Sequence, residues 1–179
     1  MKKRFYHFLA LMLGLGLLLT PNSLTLAQTL EEQTAFSALA LNIVRFTTWP
    51  AEALPKDKIV FCVVGDNVVQ DAFAKLEQKA VGDKPLQVIN LSRLRNFEEC
   101  HVLYISELKQ NVLLQVFAEI KKRPLLTIGE GIDFALQGGM IGLENLNGKI
   151  ILHVNLPVVR ESNLNISARL LKLAKILGK

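Results

Sequence analysis

Ile59-Val60-Phe61-Cys62-Val63-Val64-Gly65-Asp66-Asn67 is the stretch on which the fold turns. Six apolar residues, most of them β-branched, run without a polar interruption. That is the mark of a strand covered on both faces, as in a parallel sheet packed between helices. Gly65, Asp66 and Asn67 then supply a turn and a helix cap. Val68, Val69, Ala72, Phe73 and Leu76 continue at helical spacing, with Asp71 and Lys75 placed for an i,i+4 pair. Gly82-Asp83 closes that helix, and Leu86 to Leu91 reads as the next strand.

The same alternation extends in both directions. Upstream, Thr29-Leu30-Glu31-Glu32 matches a capping box, and Phe36, Leu39, Ala40, Ile43 and Phe46 form a helical stripe ending before Trp49-Pro50. Downstream, His101 to Ile105 reads as a strand. Ser106 is expected to cap a helix carrying Leu108, Val112, Leu113, Val116 and Ile120. Lys121, Lys122 and Arg123 suit the negative end of its dipole, and Pro124 stops it. Leu125 to Ile128 is a strand, and Gly129-Glu130-Gly131 through Gly138-Gly139 reads as a loop. Met140 to Leu143 and Lys149 to Val154 flank Asn147-Gly148, a strong hairpin signal. Pro157 to Glu161 reads as a helical turn. Asn165 is expected to cap a last helix with Ile166, Leu170, Leu173, Ala174 and Leu177.

The expectation is therefore an α/β fold: a mainly parallel sheet of about six strands flanked by helices, with a C-terminal β-hairpin and helix. Ile59 to Leu91 and His101 to Ile128 each read strand-helix-strand, a weak internal duplication.

The chain has 179 residues, half of them hydrophobic, and a formal charge of +5. A chain this apolar does not stay disordered. Two cysteines and three histidines are too few for a zinc module. Lys2, Lys3 and Arg4 precede an uncharged apolar run, Phe8 to Leu19, too short for a membrane span. Thr25-Leu26-Ala27 offers a cleavage site, so residues 1–27 read as a secretory signal peptide and 28–179 as one domain. Without those three cations the charge falls to +2, and the argument for nucleic acid falls with it.

Export makes a disulfide the default for Cys62 and Cys100, the only cysteine pair. It would close a loop of about 39 residues, worth roughly 4 kcal/mol. A redox switch or a nucleophilic thiol is the alternative. His101 adjoins Cys100, but strand neighbours point to opposite faces. No catalytic motif is present, and His101 and His153 read as sheet residues. Glu130 and Asp133 on one loop are weak grounds for a cation site. The sequence points to no enzyme, no metal and no cofactor. Trp49 reads as core-rim packing or an interface anchor, Arg45 as a solvated cation, and Asn155 and Ser167 as helix caps.

An ordered set of motifs gives more. Phe46-x-x-Trp49-Pro50 is followed by Cys62-Val63-Val64-Gly65 and by Cys100-x-x-Leu103-Tyr104-Ile105-Ser106. Next comes Leu126-Thr127-Ile128-Gly129-Glu130-Gly131-x-x-Phe134-x-x-x-Gly138-Gly139-Met140-Ile141. The tail is Val154-Asn155-Leu156-x-x-x-Arg160-x-x-Asn163-Leu164-x-Ile166-Ser167-x-x-Leu170-Leu171. Over about residues 30 to 176 this resembles the YfiR-like family of periplasmic proteins.

The resemblance implies an α/β fold, a homodimer and a non-enzymatic periplasmic regulator. Its best-known members bind the periplasmic sensor domain of an inner-membrane diguanylate cyclase. They hold that enzyme off, lowering cyclic-di-GMP and biofilm formation. It further implies an outer-membrane lipoprotein that sequesters the repressor, and weakening by reduction of disulfides. Cys62 and Cys100 match the family's cysteines at those strands. The second pair that some members carry near Gly129 to Gly139 is absent here, as is the family's small residue at Glu161 and its glycine at Asn163. The residues taken as partner-binding candidates are Arg160, which the family resemblance favours, with Trp49, Arg45, Glu130, Phe134, Asn163 and Ser167. The competing reading is a periplasmic small-molecule-binding accessory of a sensor kinase or transport system.

Overall fold

A computed structural model describes residues 22–92 and 94–178. The charged N-region and apolar run of the expected signal peptide lie outside the described residues. Sixteen elements follow in order. They are α1 (Asn22–Arg45), β1 (Thr47–Thr48), β2 (Ile59–Val64), α2 (Asn67–Ala74), β3 (Ala80–Val81), β4 (Lys84–Asn90), β5 (Val102–Ile105) and α3 (Gln110–Glu119). Then come β6 (Leu126–Glu130), α4 (Gly131–Leu136), β7 (Ile141–Leu146), β8 (Lys149–Asn155), α5 (Leu156–Glu161), β9 (Asn165–Ile166), α6 (Ala168–Leu171) and β10 (Lys175–Leu177).

The main sheet has eight strands in the order β10-β8-β7-β6-β5-β2-β4-β3, rather than about six. Neighbours are parallel except β7-β8 and β3-β4. Every residue of β2 is buried, as an uninterrupted apolar strand requires. Its side chains alternate between two cores. Ile59, Phe61 and Val63 join α1 and α2 on one face, while Val60, Cys62 and Val64 join α3 on the other. The chain crosses from β2 to β4 in one direction and from β5 to β6 in the other, so the sheet reverses between β2 and β5.

The Asn147-Gly148 hairpin forms as expected, with Leu146 opposite Lys149. Both turn residues have positive φ, 54° and 82°, the signature of a tight primed turn. Asp66 caps α2 by accepting from the Val69 N–H. Among the described residues, no Asp71–Lys75 ion pair forms. The chain beyond α2 turns at Gln78 and enters the short hairpin of β3 and β4.

Four expectations are corrected. Helix α1 begins at Asn22, so Thr29 lies inside it rather than capping it. Ser106 does not cap α3; that helix starts later, with Lys109 at the cap position. Gly131 to Leu136 is helix α4 rather than loop. The C-terminus is not one helix. Ser167, not Asn165, caps the four-residue α6, and Lys175–Leu177 turns back as an edge strand parallel to β8. The surplus apolar residues of the tail are thereby explained. Ile176 and Leu177 belong to a sheet, whose period is two, and not to a second helix face.

Cys62 and Cys100 form a disulfide, with Cα atoms 5.8 Å apart. It ties β2 to the segment leading into β5.

Candidate functional site

The C-terminal ends of β2, β5 and β6 open into a crevice of about 830 Å³ at the reversal of the sheet. In open α/β sheets that is where ligands bind, because the loops after neighbouring strands diverge there. Gly65 and Asp66 line it from β2, Ser106 and Glu107 from β5, Glu130 from β6, and Glu32 and Gln33 from α1.

Glu130 organises the floor. Its Oε1 accepts from Gln33 Nε2 at 3.0 Å, Tyr104 Oη at 3.0 Å and Ser106 Oγ at 2.9 Å. The geometry follows from register. Tyr104 lies opposite Ile128 on β6, on the face toward α1, and Glu130 is two residues beyond Ile128 on that same face. Tyr104 is wholly buried, and its ring stacks on Phe73 at 4.1 Å between centroids. Burial first, and then the charge of Glu130, pushes the Tyr104 phenol well above its ordinary range. It stays protonated and acts as a donor.

The lining carries Glu32, Asp66, Glu107 and Glu130, with no lysine or arginine among the described lining residues. Ser106 donates to a carboxylate, with no histidine at hand. His101 Nδ1 accepts the Val60 N–H at 3.1 Å, and His153 Nε2 bonds Glu144 at 2.8 Å. No group of three or more potential metal ligands gathers among the described residues.

The residues singled out from sequence do not converge on one patch. Trp49 and Phe134 are buried, 6% and 4% exposed, and offer little surface to a partner. The Arg45 guanidinium donates twice to the Ala80 carbonyl, tying α1 to β3. Ser167 caps α6 by accepting from the Arg169 N–H. Arg160 and Asn163 are exposed at the end of α5. Asn163 takes a left-handed φ of 55°, the conformation its amide side chain tolerates better than most. Glu130 alone of the set lies in the crevice. Gln33, Tyr104 and Ser106 escaped notice as a unit because their sequence separation hides a junction made by the register of β5 on β6 and by the packing of α1 over them.

A family model described as YfiR/HmsC-like matches residues 34–175. The chain belongs to the YfiR/HmsC-like family. The matched span starts within α1 and ends at the first residue of β10, so it takes in Tyr104, Ser106 and Glu130 of the site while Glu32 and Gln33 lie just before it. Membership brings the coarse character of that family, periplasmic regulators rather than catalysts. No curated protein matches the chain. Among the described residues, no helix is long and apolar enough to cross a membrane.

Proposed function

We propose that this protein is a periplasmic repressor that binds the sensor domain of an inner-membrane diguanylate cyclase and holds that enzyme inactive. The YfiR/HmsC-like match over residues 34–175 carries this reading. In it, the leader is cleaved after Ala27 and the remainder works as a homodimer outside the cytoplasm. An outer-membrane lipoprotein would draw it away from its target. Repression is differential binding: the protein shifts its target only by preferring the inactive state.

Arg160 supports a contact at the end of α5. It is exposed, and its side chain makes no hydrogen bond or ion pair among the described residues, so its charge is available to a partner. Arg160→Glu is expected to raise cyclic-di-GMP in the host and to weaken binding of the purified sensor domain at least about tenfold. Undiminished binding by a folded variant would remove Arg160 from the interface. Full repression by a strain lacking the gene would remove the function.

A second reading, a small-molecule-binding accessory, is favoured by the crevice at the sheet reversal. A ligand-dependent rise in melting temperature would support it.

A further inference from the structure

A second cavity, about 310 Å³, lies between the C-terminal ends of α3 and α5. Phe117, Ile120, Met140 and Val158 give it an apolar body. Its exposed rim carries Lys121 and Lys122, with Glu161 as the one acid among the described lining residues. An apolar chamber with few charged groups at its mouth is the usual form of a small-ligand site.

Lys122 carries the argument further. It has φ 62°, the left-handed conformation that follows many helices and normally falls to glycine or asparagine. The helix dipole does not demand a lysine at that position, since a cation in the preceding turn serves it as well. A lysine placed where the backbone disfavours it points to a use for its charge.

We propose that this cavity binds a small amphipathic carboxylate, its apolar chain among Phe117, Met140 and Val158 and its carboxylate at Lys121 and Lys122. At about 30 Å³ per non-hydrogen atom the volume takes about ten such atoms, the size of a medium-chain fatty acid. The α5 wall of the cavity, Val158 and Glu161, flanks Arg160 in sequence. The ligand proposal itself needs no partner and does not rest on the repressor reading.

The test is calorimetry of the purified protein with octanoate and, separately, with octanol. Octanoate is expected to bind saturably. Ala118→Trp, an exposed rim position, should lower that affinity at least about tenfold by filling the mouth. Combining Lys121→Gln with Lys122→Asn, whose amide suits the left-handed backbone, should weaken octanoate about five- to tenfold while leaving octanol unchanged. Glu161→Lys should strengthen octanoate. Absence of saturable octanoate binding to the unmodified protein would overturn the proposal. Binding indifferent to Ala118→Trp would overturn the location, and equal losses for octanoate and octanol would overturn the carboxylate assignment.

Discussion

Tyr104 and Glu130, 26 residues apart in the chain, share a hydrogen bond of 3.0 Å across adjacent parallel strands. The pair turns a core strand into the floor of a crevice. Tyr104→Phe keeps the ring against Phe73 and removes one donor from the carboxylate. It should destabilise the protein by about 1–2 kcal/mol, the low end for a bond to a charged group because Gln33 and Ser106 remain. Chemical denaturation of the variant checks this, and a loss near zero would mean water replaces the phenol at once.

The disulfide makes a separate prediction. Peptide mass spectrometry of the protein from an oxidising compartment should recover Cys62 joined to Cys100. Replacing both with alanine should reduce stability by roughly 4 kcal/mol or less, from the loop that the bond closes. The Cys62 side chain is buried, 1% exposed, so part of any loss is packing.

His101 sets a pH dependence. Burial holds its pKa below the ordinary 6.5, so the folded protein prefers the neutral ring. The unfolded chain then binds the extra proton more readily. The stability tied to this group is complete above about pH 6.5 and falls as acid is added toward the folded pKa. Protonation also removes the Nδ1 acceptor from the Val60 N–H. Melting temperatures between about pH 5 and 8 should decline on the acid side. His101→Asn, which keeps an acceptor but does not titrate, should flatten the curve.

Gly142 is a packing constraint. A Cβ there would meet the Gly131 carbonyl oxygen at 2.1 Å, and a backbone atom cannot swing aside as a side-chain end can. Gly142→Ala should destabilise by about 1–3 kcal/mol through overpacking of α4 on β7. Gly148→Ala, with open space around it but a φ of +82°, tests the contrasting case of backbone strain without a clash. Unfolding curves of the two variants, run side by side, check both.

These glycines also show why part of the fold was hidden. Gly129, Gly131, Gly138 and Gly139 read as loop because glycine breaks regular structure. In the folded chain Gly129 and Gly139 instead make room for the Phe134 ring, and Gly131 opens α4 with a φ of 75°. Local propensity cannot separate glycine needed for a turn from glycine needed for close approach. The Ile59 to Val64 strand was legible because burial on both faces leaves no other composition. The tail misled because Leu170 to Leu177 satisfies helical spacing while its second half answers to β8. The crevice depends on where the sheet reverses, which no single stretch of sequence states. Glu130 was named, but two of its donors come to it by strand register and the third, Gln33, by helix packing, rather than from neighbouring positions.

Strand β10 follows every other described strand yet pairs directly with β8, on the far side of β8 from β7. Without Lys175–Leu177 in place, that side of β8 presents an open row of backbone donors and acceptors, the template on which another copy can pair. Three residues remote from the crevice thus decide whether β8 is an inner strand or a sticky margin. A chain cut before Lys175 is expected to self-associate through β8.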